Sequence, residues 1–113
     1  MKTIQEIIDY LEQTPEDSWC VDVVKSESKN CLFGHLFDLG GGKLMDYFEA
    51  RWATTFMIYP VNDGENPSYQ QATPKQRCIA YLKDLRDQKT KSTMDWEEEM
   101  RREYETENSH HLK

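Results

Sequence analysis

A chain of 113 residues with 21 acidic and 14 basic side chains, a formal net charge of −7, has room for one domain and little for a second. At 37% hydrophobic and 12% aromatic it can bury a core, which excludes a disordered chain. No apolar run approaches the roughly 20 residues of a membrane span, and three cysteines with no signal-peptide core after Met1 lead us to expect a reduced cytoplasmic protein. The charge is uneven. Residues 1–50 hold ten acids and four bases, residues 75–91 six bases and two acids, and residues 92–113 seven acids and three bases. Such an acidic chain is repelled by phosphate backbones, so no direct nucleic-acid binding is expected. Lys75, Arg77, Lys83, Arg86, Lys89 and Lys91 form the exception, read as the solvated face of a helix.

Thr3-Ile4-Gln5-Glu6 has the pattern of a capping box, and Ile4, Ile7, Ile8 and Leu11 follow at helical spacing, predicting a helix that ends near Gln13. Thr14-Pro15 opens a short turn, with Thr14 as cap, which carries Trp19 into the core. Val21 and Val23 alternate with Asp22 as an extended piece, and residues 25–30 read as a polar loop. Asn30 is placed to cap a helix that buries Leu32, Phe33, Leu36 and Leu39 and stops at Gly40-Gly41-Gly42. Residues 43–53 form the next helix. Residues 54–59, Thr-Thr-Phe-Met-Ile-Tyr, are β-branched and aromatic, so a short β element ended by Pro60 is expected there. A turn-rich loop follows, pinned to the body by Tyr69. Thr73-Pro74 starts an amphipathic helix with Cys78, Ile79, Tyr81, Leu82 and Leu85, and Ser92 or Thr93 starts a last, acidic helix.

Cys31-Leu32-Phe33-Gly34-His35-Leu36, the segment Asp17-Ser18-Trp19-Cys20 before it, and Val61-Asn62-Asp63-Gly64 ahead of Thr73-Pro74 together resemble a family of small uncharacterised bacterial and phage proteins. That family carries a Cys-Leu-x-Gly-(Ala/His)-Leu segment and an Asn-Asp turn. The resemblance spans roughly residues 3–88. It implies a compact helical domain with no established activity, and an origin in a phage or prophage.

Cys31 and His35 lie four apart on a predicted helix and share a face. With Asn62 or Asp63 to orient the histidine, they are the candidate nucleophile and base of a small thiol enzyme. The structural reading, a buried cysteine and a satisfied core histidine, outweighs it. Cys20, Cys31, His35 and Cys78 are the candidate ligands of a zinc site, at spacings unlike paired Cys-x2-Cys knuckles. Gly40-Gly41-Gly42-Lys43 lacks the spacing of a phosphate loop, and Asn62-Asp63-Gly64 lacks the alternating acids of a calcium loop; Asp63 is expected to hold its turn by accepting from backbone amides. No cofactor is expected.

Trp96, Met100 and Tyr104 recur every four residues on the last predicted helix, beside Glu97, Glu98, Glu99 and Glu103. These seven are the candidate partner-binding residues; the alternative, which outweighs that reading, is that the row docks the helix in cis on the body, where its acids would neutralise the basic residues 75–91. The expected architecture is mainly α: a compact helical domain of residues 1–91, a peripheral acidic helix of residues 92–107 and a frayed tail of residues 108–113, about five helices in all. The expected function is that of a small non-enzymatic binding protein. Its acidic surface would engage, and inhibit or redirect, a host protein with a basic surface, for example a defence or nucleic-acid-handling protein; membrane association is not expected.

Overall fold

The computed structural model describes residues 2–23, 25–26 and 28–111. Helix α1, Ile4–Glu12, begins with the expected reciprocal cap: Thr3 Oγ1 accepts from the Glu6 amide at 3.1 Å, and Glu6 Oε1 accepts from the Thr3 amide at 3.1 Å. Its buried face is Ile7, Ile8 and Leu11. Pro15, rather than Thr14, caps the following turn of 3-10 helix, Glu16–Ser18. Thr14 has another task, since its hydroxyl accepts from Trp19 Nε1 at 2.9 Å and ties that buried indole to the end of α1.

The short antiparallel ladder of β1, Lys25–Ser26, and β2, Lys29–Asn30, lies where the sequence reads as loop, with Lys25 opposite Asn30 and Ser26 opposite Lys29. The Val21–Val23 stretch is not a continuous extended piece, because Asp22 takes a left-handed φ of 68°. Asn30 does not cap the next helix. Its amide donates to Asp38 at 2.8 Å, and Cys31 occupies the cap position. Helix α2, Leu32–Arg51, is interrupted at Gly41, whose φ of 69° and ψ of −166° only glycine adopts without strain, so the expected stop at the glycines and the helix after them are both present. Residues on either side of the break, from Leu32, Phe33 and Leu36 to Leu44 and Phe48, enter one core.

The β element expected at residues 54–59 is a helix. Helix α3 spans Thr55–Asp63, with Pro60 inside it. Helical spacing turns Ile58, Val61 and Asn62 inward together, whereas strand alternation would have put Val61 and Asn62 on opposite faces; burial overrides the local β preference. Gly64, at φ 81°, closes α3, and the Glu65 amide donates back to the Pro60 carbonyl at 2.8 Å. Tyr69 pins the following loop by donating to Asp84 Oδ2 at 2.6 Å. Helix α4, Pro74–Arg86, opens as expected, with Thr73 Oγ1 accepting from the Gln76 amide.

Helix α4 packs against both α1 and α3, and of the apolar residues expected inward on the first two helices Ile4 and Leu39 are half-buried rather than buried. Helix α5, Thr93–His111, is capped by Ser92, whose hydroxyl accepts from the Asp95 amide while Asp95 Oδ2 accepts from the Ser92 amide. It remains helical where the tail was expected to fray; Leu112 and Lys113 lie outside the described residues. Contact with the body is concentrated at its start, where the Thr93 amide donates to the Trp52 carbonyl at 2.8 Å. The molecule measures 59 × 30 × 25 Å and its radius of gyration is 16.0 Å, against about 13 Å for a compact domain near this size. No described helix is long and apolar enough to cross a membrane.

Candidate functional site

Of the residues that invited a catalytic reading, Asn62 is the buried amide that ties neighbouring segments together, and Asp63 is among its partners. Asn62, at the inner face of α3, has no solvent exposure. Its Oδ1 accepts from the Leu32 amide at 3.1 Å, so it supplies across 30 residues the cap that Cys31 does not provide to α2. The same oxygen lies 3.6 Å from the Cys78 thiol. Its Nδ2 donates to the Cys20 carbonyl at 2.9 Å and to Asp63 Oδ1 at 3.0 Å. Asp63 in turn accepts from the Asp22 amide at 3.1 Å, the turn-holding role expected of it, although the turn it holds belongs to another segment. Every polar atom of the Asn62 side chain has a partner, and a buried amide so satisfied fixes how α2, α3 and α4 meet.

Cys31 and His35 share the start of α2 without forming a hydrogen bond to each other among the described residues. His35 Nε2 lies 3.2 Å from the Ser18 carbonyl, so that nitrogen carries the proton, and its ring packs on Trp19 with centroids 4.4 Å apart. Burial lowers the imidazole below its ordinary range; the Ser18 carbonyl and Asp38 pull the other way more weakly. Burial raises the Cys31 thiol, against a smaller opposing pull from the amides of Gly34 and Phe33. Cys78 is also raised by burial. A protonated thiol beside a neutral, carbonyl-bound imidazole is not an activated nucleophile and base. Cys31 and His35 are both buried at the start of α2. No group of three or more Cys, His, Asp or Glu side chains among the described residues is arranged to hold a metal ion, so Cys20, Cys31, His35 and Cys78 do not assemble as a ligand set.

Two cations of the basic stretch, Lys75 and Arg77, are engaged by backbone carbonyls of neighbouring helices, while Arg86, Lys89 and Lys91 stay exposed. Helices α1 and α3 both end without a basic residue of their own in the last turn. Helix α4 supplies both. Lys75 Nζ donates to the carbonyls of Glu12 at 2.9 Å and Thr14 at 2.7 Å, at the end of α1. Arg77, buried, donates to the carbonyls of Val61 at 3.1 Å and Asn62 at 2.7 Å, at the end of α3, and to that of Gln71 at 2.9 Å, in the loop before α4. Each cation meets the negative end of a helix dipole and satisfies carbonyls that have no intrahelical donor. Lys83 pairs with Glu12 at 3.3 Å, and Arg86 donates to Gln5 Oε1.

The acidic helix differs. Trp96, Met100 and Tyr104 are 47%, 65% and 66% exposed, in one row on α5. Glu97, Glu98 and Glu103 are exposed around them, and Glu99 is partly covered. Lys91 lies at the base of this row. Its Nζ is 2.5 Å from Glu99 Oε2 and 4.5 Å from the centroid of the Trp96 ring. Trp96 also forms one wall of a groove of about 470 Å³, with Phe56, Met57, Pro60, Tyr81 and Asp84 among the other lining residues. Phe56 is 89% exposed there.

Sequence reasoning anticipated the row on α5 but missed Asn62, Lys75, Arg77 and Lys91 as positioned groups. The available signal was the pairing of two helices lacking C-terminal cations with a third that opens on two of them. No family model matches this sequence, and no curated protein or solved structure matches the chain.

Proposed function

We propose that this protein acts by binding another protein, without chemistry of its own, and that the contact surface is the exposed face of α5. The observation that carries the reading is the row Trp96, Met100 and Tyr104, left open to solvent on a helix attached mainly at its start and flanked by carboxylates. A narrow apolar row with charged shoulders suits an amphipathic helix that enters a partner's groove. The shoulders are acidic, so the complementary rim is basic. Cys31 and His35 support this reading indirectly, since their surroundings suit packing better than catalysis. That the partner is a host protein of a phage rests on the motif resemblance.

The test is capture from a bacterial lysate on the immobilised full-length chain. Proteins retained at about 0.1 M salt are expected to release at about 1 M, as the screening length falls from about 10 Å to about 3 Å. The Glu97→Lys/Glu98→Lys/Glu99→Lys variant, still folded, is expected to retain none of them. The same set of proteins on both chains would overturn the proposal.

A further inference from the structure

Lys91 occupies the face of Trp96 that the proposed partner would use, and how it is held identifies a ligand chemistry. One ammonium meets two recognition elements at once: the Glu99 carboxylate at 2.5 Å and the Trp96 ring at 4.5 Å. A carboxylate that accepts N–H bonds and a ring that attracts positive charge through its π face together make a receptor for a primary alkylammonium. The groove beside it extends the receptor. Phe56, Met57 and Pro60 present apolar surface for an alkyl chain; Asp84, whose Oδ2 already accepts from Tyr69, lines the groove together with Lys89 and Lys91.

We infer that Trp96, Glu99 and the adjoining groove form a lysine-recognition site, with Lys91 filling it in cis as a stand-in for a lysine of the partner. The inference rests on α5 being the contact surface and specifies what that surface recognises. Lys91 is then a competitor as well as a neighbour. It is exposed, as are the two groups it touches in large part, so its hold is weak and an incoming lysine displaces it at little cost. Removing it should therefore strengthen binding of a lysine-bearing ligand, the opposite of what deleting a supporting contact would do.

The experiment follows the Trp96 indole N–H resonance of the folded, full-length chain during titration with acetyl-(Lys-Ala)4-amide, with the Gln-Ala peptide as control. Lys91→Gln is expected to bind the lysine peptide about three- to tenfold more tightly than the wild-type chain, as loss of one exposed ion pair and one cation–π contact implies. Lys43→Gln, which makes the same change in net charge at an exposed position outside the groove, is expected to change affinity by less than about twofold. Glu99→Gln is expected to weaken binding, and the Gln-Ala peptide to leave the resonance unmoved. Equal gains from Lys91→Gln and Lys43→Gln would reduce the effect to net charge and overturn the inference, as would no gain at Lys91 or no response to the lysine peptide. If Lys91→Gln brings no gain while lysate capture still depends on Glu97, Glu98 and Glu99, the inference falls and the binding function stands. If the peptide binds as expected while capture ignores the charge reversal, the reverse holds.

Discussion

Helices α4 and α5 are both charged and amphipathic, and they use their charge in opposite ways. In α4 the first two cations serve the fold, while Lys83 and Arg86 stay at the surface: Lys75 and Arg77 bond to carbonyls at the ends of α1 and α3. They do for those helices what a basic last turn would otherwise do. In α5 the apolar row stays exposed and the acids surround it, with the first turn fastened to the body through Trp52. A run of like charge is therefore no guide to partners by itself. The basic run of this chain is largely engaged within its own fold, and the acidic one is left open.

The largest expected effect is on α4. Arg77→Met removes three charge-assisted hydrogen bonds and leaves the carbonyls of Val61, Asn62 and Gln71 without that donor, so urea unfolding should show a loss of about 3–5 kcal/mol. A loss below about 1 kcal/mol would show that the guanidinium is not integral to the fold. Core truncation should sort the helices the same way. Leu82→Ala on α4 and Leu36→Ala on α2 are each expected to cost about 2–5 kcal/mol, because both side chains are fully buried. Met100→Ala on α5 should stay within about 0.5 kcal/mol of wild type. A comparable loss at Met100 would mean that the α5 row packs on the body after all.

Lys75→Met should cost about 1 kcal/mol, since its two carbonyls are at the surface edge of α1 and water can replace the ammonium. A smaller effect is expected from pH. Burial holds His35 below its ordinary value of 6.5, so the unfolded chain takes up its proton first as pH falls. This contribution is complete above that value and is lost as pH drops from 6.5 through the lowered folded value. His35→Gln should flatten the stability profile in that window, above the range where the carboxylates Glu6, Asp87 and Asp95 titrate. An unchanged slope would show that His35 does not titrate between folded and unfolded states as its burial implies.

How much of this was legible in the sequence follows from how far each interaction reaches. The caps at Thr3, Thr73 and Ser92 lie within three residues of their partners, and the sequence read correctly there. Residues 54–59 misled because their composition favours a strand, while their conformation is set by which side chains must face α4. Asn62 read as part of a turn because its partners, Leu32 and the Cys20 carbonyl, lie 30 and 42 residues away. Lys75 and Arg77 read as surface charge for the same reason. The α5 row was legible as a row from its four-residue spacing, but not its exposure, since the sequence favoured docking of that row on the body.

The central claim, that α5 does the binding while α4 holds the fold, is tested most directly by one full-length chain carrying Trp96→Ala, Met100→Ala and Tyr104→Ala. Its unfolding and its capture of proteins from lysate would be measured side by side with wild type. The account predicts a stability within about 1 kcal/mol of wild type and loss of the proteins that wild type retains. Unaltered capture by the folded variant would contradict it.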